Sequence, residues 1–177
     1  EKTTLSYQQD FMNISMAFGD AEDHEDWANI YKKLTYWELQ IDDTENKSMQ
    51  EVLESQKTEA NASFARFIKD NYLDWLEEKN TDKPLLSHQV MKKKVFPKVK
   101  EGKPLFFIVI DNLRLDQWEE IESLVSPYFN IQEKETYYSI LPTTTAFARN
   151  ALFSGMMPMD MARFYPNLWE DEDFDEG

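Results

Sequence analysis

The sequence contains no cysteine, only two histidines and no long hydrophobic run. The lack of cysteine excludes disulfides, zinc–thiolate sites and thiol nucleophiles, and it fits a cytoplasmic protein. The longest apolar run, residues 105–110, is too short to span a bilayer, and no charged segment followed by an apolar stretch opens the chain. We therefore expect a cytoplasmic protein with no insertion into a membrane.

What the sequence does contain is sufficient for a packed core. Hydrophobic residues make up 41% of the 177 residues and aromatic residues 14%, a content that argues against wholesale disorder. The chain begins with Glu1 rather than Met and ends soon after an α/β pattern begins, although a parallel sheet needs several strands. We therefore expect this chain to be a fragment of a longer protein.

The net charge of −15 is unevenly distributed. Residues 1–82 carry −11 and residues 104–177 carry −10, whereas residues 83–103 carry +6, with seven lysines against Glu101. Such a run is typical of a solvated face or a linker, but it can also attract an anionic substrate to a chain that otherwise repels anions. We place a basic linker at 83–103, between two domains.

Residues 1–82 have apolar residues at the spacing of helices. Three stripes, in residues 7–18, 27–41 and 49–75, repeat every three or four positions, and Thr44 is predicted to cap the third helix. Three antiparallel helices with short connections predict a three-helix bundle. The aromatic stripes are either its core or a docking or dimerisation face.

Residues 104–177 follow a different pattern. The six consecutive apolar residues at 105–110 are typical of a strand buried on both faces. Further along the chain, the pattern predicts a helix at 113–125, β-prone segments at 129–131 and 136–140, and a short helix at 145–153. This order predicts an α/β domain, so the expected fold class is α+β overall: a three-helix bundle followed by the first part of an α/β domain.

Asp111 follows the predicted strand at 105–110 directly. Ligands of parallel α/β sheets bind beyond the carboxyl ends of the strands, so this carboxylate can hold a divalent cation, or it can cap the next helix. The pattern leaves both interpretations open. Arg114 and Asp116, which follow, are interpreted as solvated helix residues.

Thr145 lies where a predicted strand ends and a helix begins. A helix N-terminus binds phosphate through its unpaired N–H groups, and a threonine hydroxyl there can be a nucleophile if a metal lowers its pKa. The alternative is an ordinary threonine N-cap. Arg149 lies one helical turn further, and its planar guanidinium can bind two phosphate oxygens, which favours the phosphoryl-transfer interpretation.

These residues resemble the alkaline phosphatase superfamily. In its sulfatase and nucleotide phosphodiesterase branches a nucleophile opens a helix, a Thr/Ser-Gly pair follows nine and ten residues later, and sulfatases place an Arg four residues after the nucleophile. Thr145, Arg149, Ser154 and Gly155 have these offsets. The sequence of residues 107–118 and 141–150 is similar to a narrower group, the PglZ domain of PorX-type response regulators. In those regulators a receiver domain and a three-helix bundle precede the PglZ domain.

The resemblance implies a phosphodiesterase with two divalent metal ions, zinc in this family. Asp111 and Thr145 would be metal ligands, Thr145 and Arg149 catalytic residues, and Asn112, Arg149 and Asn150 substrate-binding residues. The implied substrate is a phosphodiester such as a nucleotide or oligonucleotide. The implied partners are the receiver domain, signalling proteins and a second copy in a homodimer, in a response regulator that controls type IX secretion and gliding.

The sequence departs from the superfamily in its metal ligands. Further Asp and His ligands come from late strands, but His24 and His88 both precede the predicted catalytic strand and are expected at the surface. We therefore expect the missing ligands outside this chain and the fragment itself to be inactive. The alternatives are a catalytically inert signalling scaffold and a monoesterase or sulfatase. An unmodified threonine argues against the sulfatase, because sulfatases use a modified Cys or Ser as nucleophile.

Overall fold

The computed structural model describes residues 2–42, 46–77 and 82–169. The chain divides into two compact units, one made of residues 1–83 and 113–132 and the other of residues 84–112 and 133–177. The described α-helices, in chain order, are α1 (Lys2–Asp20), α2 (His24–Asp42), α3 (Lys47–Leu76), α4 (Phe96–Val99), α5 (Leu115–Val125), α6 (Thr145–Ser154) and α7 (Pro158–Phe164). Short 3-10 helices span Ser87–Gln89 and Pro166–Leu168, and a π-helix spans Met91–Val95. None of the described helices is both long and apolar enough to cross a bilayer.

Helices α1, α2 and α3 contact one another and enclose the core of the first unit. Most residues of the predicted stripes are buried or half-buried, but Tyr31 at 51% and Val52 at 44% are exposed. The buried ones in this core are Tyr7, Ile14, Trp27, Ile30, Leu34, Trp37, Ile41, Met49, Leu53 and Ala60. The core is rich in aromatic contacts, and the Trp27 ring lies 5.4 Å from that of Phe64 and 6.0 Å from that of Phe67. Each fully buried large apolar side chain contributes about 1.5–3 kcal/mol, and the aromatic contacts add to this contribution.

Helix α3 begins with an asparagine cap. The backbone N–H of Met49 donates to Asn46 Oδ1 at 3.3 Å, which satisfies one of the N–H groups that a helix start leaves unpaired. The predicted cap, Thr44, lies outside the described residues. Asn46 supplies the same chemistry two positions later.

A buried glutamine joins α1 to α3. Gln56 Oε1 accepts a hydrogen bond from the Tyr7 hydroxyl at 3.2 Å, and Gln56 Nε2 donates to the Phe11 carbonyl at 3.0 Å and to Ser15 Oγ at 2.9 Å. Gln56 is 2% exposed. A buried amide is stable only when its hydrogen bonds are satisfied, so this network favours one register of α3 against α1.

Helix α5 belongs to the first unit and packs against α2. It ends at Val125, two residues before Pro127, as the sequence predicted. Proline has no N–H and disfavours helical backbone in the residue before it. The helix predicted from residue 113 begins at Leu115.

The second unit has its own small core around α6. Its buried apolar residues include Leu86, Ile140, Ala151 and Leu152. The Tyr138 N–H donates to the Leu85 carbonyl at 2.8 Å and the Ser87 N–H to the Tyr138 carbonyl at 3.2 Å, which makes an isolated parallel bridge.

The predicted α+β fold class is wrong, because the described residues contain helices and no strand. Residues 105–110, predicted to be a buried strand, are exposed, with Phe106 at 88% and Ile108 at 78%. Their contact with α6 includes the Phe107 ring, 6.3 Å from that of Phe153. A parallel strand needs a neighbour for its backbone hydrogen bonds, and no described residue pairs with this segment. The described fold is mostly helical.

We predict that Gln56→Ala lowers the free energy of unfolding by about 2–3 kcal/mol, because the Tyr7 hydroxyl and the Phe11 carbonyl lose their buried partner. Urea denaturation followed by circular dichroism measures this loss. The control is Gln40→Ala, the same change at an exposed position of α2, which should stay within about 0.5 kcal/mol of wild type. Equal losses from the two variants would contradict the role of the network.

A second prediction concerns alkaline pH. Burial raises the pKa of Tyr7 to about 12, whereas an unfolded tyrosine titrates near its ordinary pKa of about 10. The contribution of Tyr7 to stability is therefore complete below about pH 10 and is lost as the pH rises toward 12. Denaturation midpoints across this range should fall less steeply for Tyr7→Phe than for wild type, while the exposed control Tyr36→Phe should follow wild type.

Candidate functional site

The chain turns into α6 at the three consecutive threonines. Thr144, not Thr145, is the N-cap: its backbone is extended (φ −63°, ψ 149°), its carbonyl accepts from the Ala148 N–H at 2.9 Å, and its hydroxyl makes no capping hydrogen bond. Thr145 is the first residue of the helix and is half-buried. The alternative interpretation of Thr145 as a side-chain N-cap is therefore wrong. The first N–H groups of α6 receive no hydrogen bond from the Thr144 side chain.

Arg149 lies on α6 one turn after Thr145, so the two side chains leave the same face of the helix. Arg149 is exposed, whereas the next residue, Asn150, is half-buried. Side chains of a helix tilt toward its N-terminus, so an arginine on this face can reach a phosphate bound by the first N–H groups.

Ser154 and Gly155 end α6. Gly155 has the positive φ of 69° that a left-handed cap requires, and its N–H donates to the Ala151 carbonyl at 3.0 Å. Ser154 Oγ accepts from the Met156 N–H at 3.1 Å. A Cβ at position 155 would lie 3.6 Å from the His88 carbonyl, so strain from the backbone conformation is the main obstacle to substitution.

The 3-10 helix Ser87–Gln89 packs against α6. Ser87 is 1% exposed, and its Oγ accepts from the Ile140 N–H at 3.1 Å. Ile140 precedes the threonines by three residues, so this contact helps to position the start of α6. Ser87 could not be predicted from the sequence, because a single serine before a basic run belongs to no periodic pattern and no motif.

Asp111 and Asn112 form an exposed turn after residues 105–110. The Asn112 N–H donates to Asp111 Oδ1 at 2.9 Å, and Asn112 has a φ of 58°, a conformation that asparagine tolerates better than most residues. Of the two interpretations of Asp111, capping is wrong, because α5 begins four residues later with Arg114 as its N-cap. Asp111 Oδ2 makes no hydrogen bond to a described residue.

Arg114 and Asp116 bind each other. The guanidinium donates to the two carboxylate oxygens at 3.0 and 2.6 Å, and this hydrogen bonding lowers the pKa of Asp116 and raises that of Arg114. Both residues belong to the first unit. Arg114 is exposed as predicted, and the pair is an ordinary charge-assisted contact at the start of α5.

The histidines are not the solvated groups that the sequence predicted. The His24 ring lies edge-on to Trp75, with centroids 6.4 Å apart, and its Nε2 is 3.6 Å from Asp82 Oδ1. The His24 side chain is 16% exposed, and His88 is half-buried. His24 belongs to the first unit, whereas Thr145 belongs to the second.

The site residues are only partly brought together. Thr145, Arg149 and Asn150 share α6, but within residues 82–169 no hydrogen bond joins Asp111 or Asn112 to Thr145. No group of three His, Cys, Asp or Glu residues that could hold a metal ion is present in the described part of the chain. Asp111 and Thr145 can each supply an oxygen ligand, whereas a zinc ion takes four ligands.

Two family comparisons cover most of the chain. Residues 1–76 match the PorX response regulator linker domain, and residues 90–177 match the BREX system PglZ alkaline phosphatase-like domain. A search of curated proteins found no match. The first match covers α1 to α3, and the second covers Asp111, Thr145 and Arg149. The two matches confirm the resemblance to the PglZ domain of PorX-type regulators, and the order of the two matched segments fits the effector part of a response regulator.

Proposed function

We propose that Thr145 is the nucleophile of a metal-dependent phosphodiesterase, in the effector part of a response regulator. The observation that carries this proposal is the start of α6. Thr145 is its first residue, Arg149 follows one turn later, and the Thr144 hydroxyl does not cap the helix. The match of residues 90–177 to an alkaline phosphatase-like family supports the same reaction class.

In this mechanism the residues of the chain bind and orient the phosphodiester. The first N–H groups of α6 and the Arg149 guanidinium bind the non-bridging oxygens, and Asn112 and Asn150 contribute further polar contacts to the substrate. Thr145 Oγ releases its proton to solvent and attacks phosphorus in line with the leaving group, whose bond to phosphorus breaks and whose oxygen takes up a proton from solvent. Water then hydrolyses the phosphothreonine.

Zinc is the metal proposed for this site. When bound, it lowers the pKa of a coordinated hydroxyl and stabilises charge on phosphoryl oxygens. Asp111 and Thr145 are the proposed ligands from the described residues, and the remaining ligands would have to come from elsewhere in the protein.

The biological setting is proposed from the resemblance to PorX-type regulators. In this proposal the protein is cytoplasmic, receives its signal from a receiver domain, contacts other signalling proteins, forms a homodimer, and regulates type IX secretion and gliding. Nucleotides and oligonucleotides are the proposed substrates. A specific observation favours one alternative, a catalytically inert scaffold, because the linker-domain match fits a protein that acts through signalling contacts.

Substitution of the nucleophile tests the enzyme proposal in the complete protein that contains this chain. We expect Thr145→Ala to reduce the hydrolysis of bis(p-nitrophenyl) phosphate by at least about 10³-fold, because the neighbouring Thr144 hydroxyl precedes the helix and does not lie one turn from Arg149. Zinc content should be measured on the same preparations. The control Thr143→Ala makes the same change at an exposed position before the helix and should keep its activity. If the protein contains no zinc and Thr145→Ala leaves the turnover unchanged, the inert scaffold is favoured.

Substitution of Arg149 tests charge stabilisation at the same site. Arg149→Ala should reduce kcat/KM by about 10²–10³-fold, and Arg149→Lys should recover little, because an ammonium cannot bind two oxygens as a planar guanidinium does. Arg163→Ala on α7 is the matched control, since Arg163 is also exposed and its guanidinium lies 5.2 Å from the Phe164 ring centroid.

A monoester with the same leaving group, assayed in parallel, distinguishes a diesterase from a monoesterase.

A further inference from the structure

Residues 91–100, which we name the basic helix, carry a cluster of exposed lysines that the proposed reaction does not use. The segment comprises the π-helix Met91–Val95, α4 and Lys100. Its exposed lysines are Lys92, Lys93, Lys98 and Lys100. Two large apolar side chains are exposed among them, Phe96 at 48% and Val99 at 51%.

The spacing of these residues produces one mixed face. Lys92 lies four residues before Phe96, Val99 lies three residues after it and Lys100 four residues after it, so all four project from roughly the same side. The result is an apolar centre with a lysine at each end. Long lysine side chains can extend away from such a centre while their stems cover it.

The opposite side of the basic helix attaches it to the second unit. Lys94 is half-buried and binds the carboxylate of Glu135, and this hydrogen bond raises the pKa of Lys94 and lowers that of Glu135. Lys93 Nζ donates to Gln89 Oε1 at 3.1 Å. These contacts orient the segment, so the outward position of Phe96 and Val99 follows from the fold.

The outer face is not neutralised within the described part of the chain. Neither Lys92 nor Lys100 forms an ion pair with a described residue, although the chain as a whole carries −15. A partner of this face must therefore be anionic. The partner must also accept the apolar side chains of this face. Binding to a sugar–phosphate backbone requires no such apolar side chains. Phe96 is the only aromatic residue in the segment, too few for the successive stacking typical of single-strand binding.

We propose that the basic helix binds an anionic lipid surface, with Phe96 and Val99 inserted at the level of the headgroups and the lysines on the lipid phosphates. Interfacial segments combine these two features, apolar side chains on one face and flanking lysines. The segment lies on the membrane and does not span it. The inference is independent of phosphodiesterase activity, because it uses neither Thr145 nor Arg149.

Sedimentation with lipid vesicles tests the proposal on the complete protein. Wild type should bind phosphatidylcholine vesicles that contain phosphatidylglycerol and should not bind phosphatidylcholine alone. The double variant Lys92→Gln/Lys100→Gln should bind about 30-fold more weakly, because each lysine near an anionic surface contributes roughly fivefold. The matched control is Lys32→Gln/Lys33→Gln, which removes the same charge from two exposed positions of α2 and should bind like wild type.

A second variant separates the apolar contribution from the electrostatic one. Phe96→Ser should weaken binding to the phosphatidylglycerol vesicles while the dependence of binding on salt stays that of wild type, because the substitution removes an inserted side chain and no charge. Helical content from circular dichroism must match wild type for every variant. If Lys92→Gln/Lys100→Gln and Lys32→Gln/Lys33→Gln bind the anionic vesicles equally well, the proposal is overturned. The proposal is also overturned if the protein does not bind anionic vesicles but binds a single-stranded oligonucleotide, and if that binding depends on Lys92 and Lys100.

Discussion

Backbone hydrogen bonding is the constraint on which the described structure depends. A helix satisfies most of its N–H and C=O groups within itself, whereas a strand must find partners in a neighbouring segment. The helices α1, α2 and α3 therefore form wherever an apolar stripe can be buried, and together they bury Tyr7, Trp27 and Trp37. Residues 105–110 have a composition typical of a strand but no partner among the described residues, and they remain exposed.

The same constraint explains why polar groups in the cores are so few and so specific. Gln56 lies among apolar side chains because three hydrogen bonds satisfy it, and those bonds join α3 to α1. In the second unit Ser87 has a related role, since its hydroxyl accepts from the Ile140 N–H where the chain approaches α6. Each residue favours one arrangement, because any other would leave a buried polar group unpaired.

The candidate site shows how motif spacing and tertiary placement differ. The offsets from Thr145 to Arg149 and to Ser154 and Gly155 are properties of one helix, and α6 realises them: Thr145 begins it and Gly155 caps it. Asp111 is different, because it is far from Thr145 along the sequence. The position of Asp111 relative to Thr145 depends on how the segments between them fold. In the described residues Asp111 lies in an exposed turn and accepts a hydrogen bond from the Asn112 N–H. The local half of the motif was therefore predictable, and the non-local half was not.

The sequence by itself determined the three helices of the first 76 residues, the position of α6 and the similarity to two families. These properties depend on periodicity and on offsets within about ten residues, which a linear sequence displays directly. Only the tertiary structure decided that Asn46 caps α3, that His24 packs on Trp75, and that residues 105–110 are exposed. It also decided that the basic helix turns Lys94 inward and Phe96 outward. The physical reason is that burial and strand pairing are set by contacts between distant segments, and composition carries no record of which segments meet.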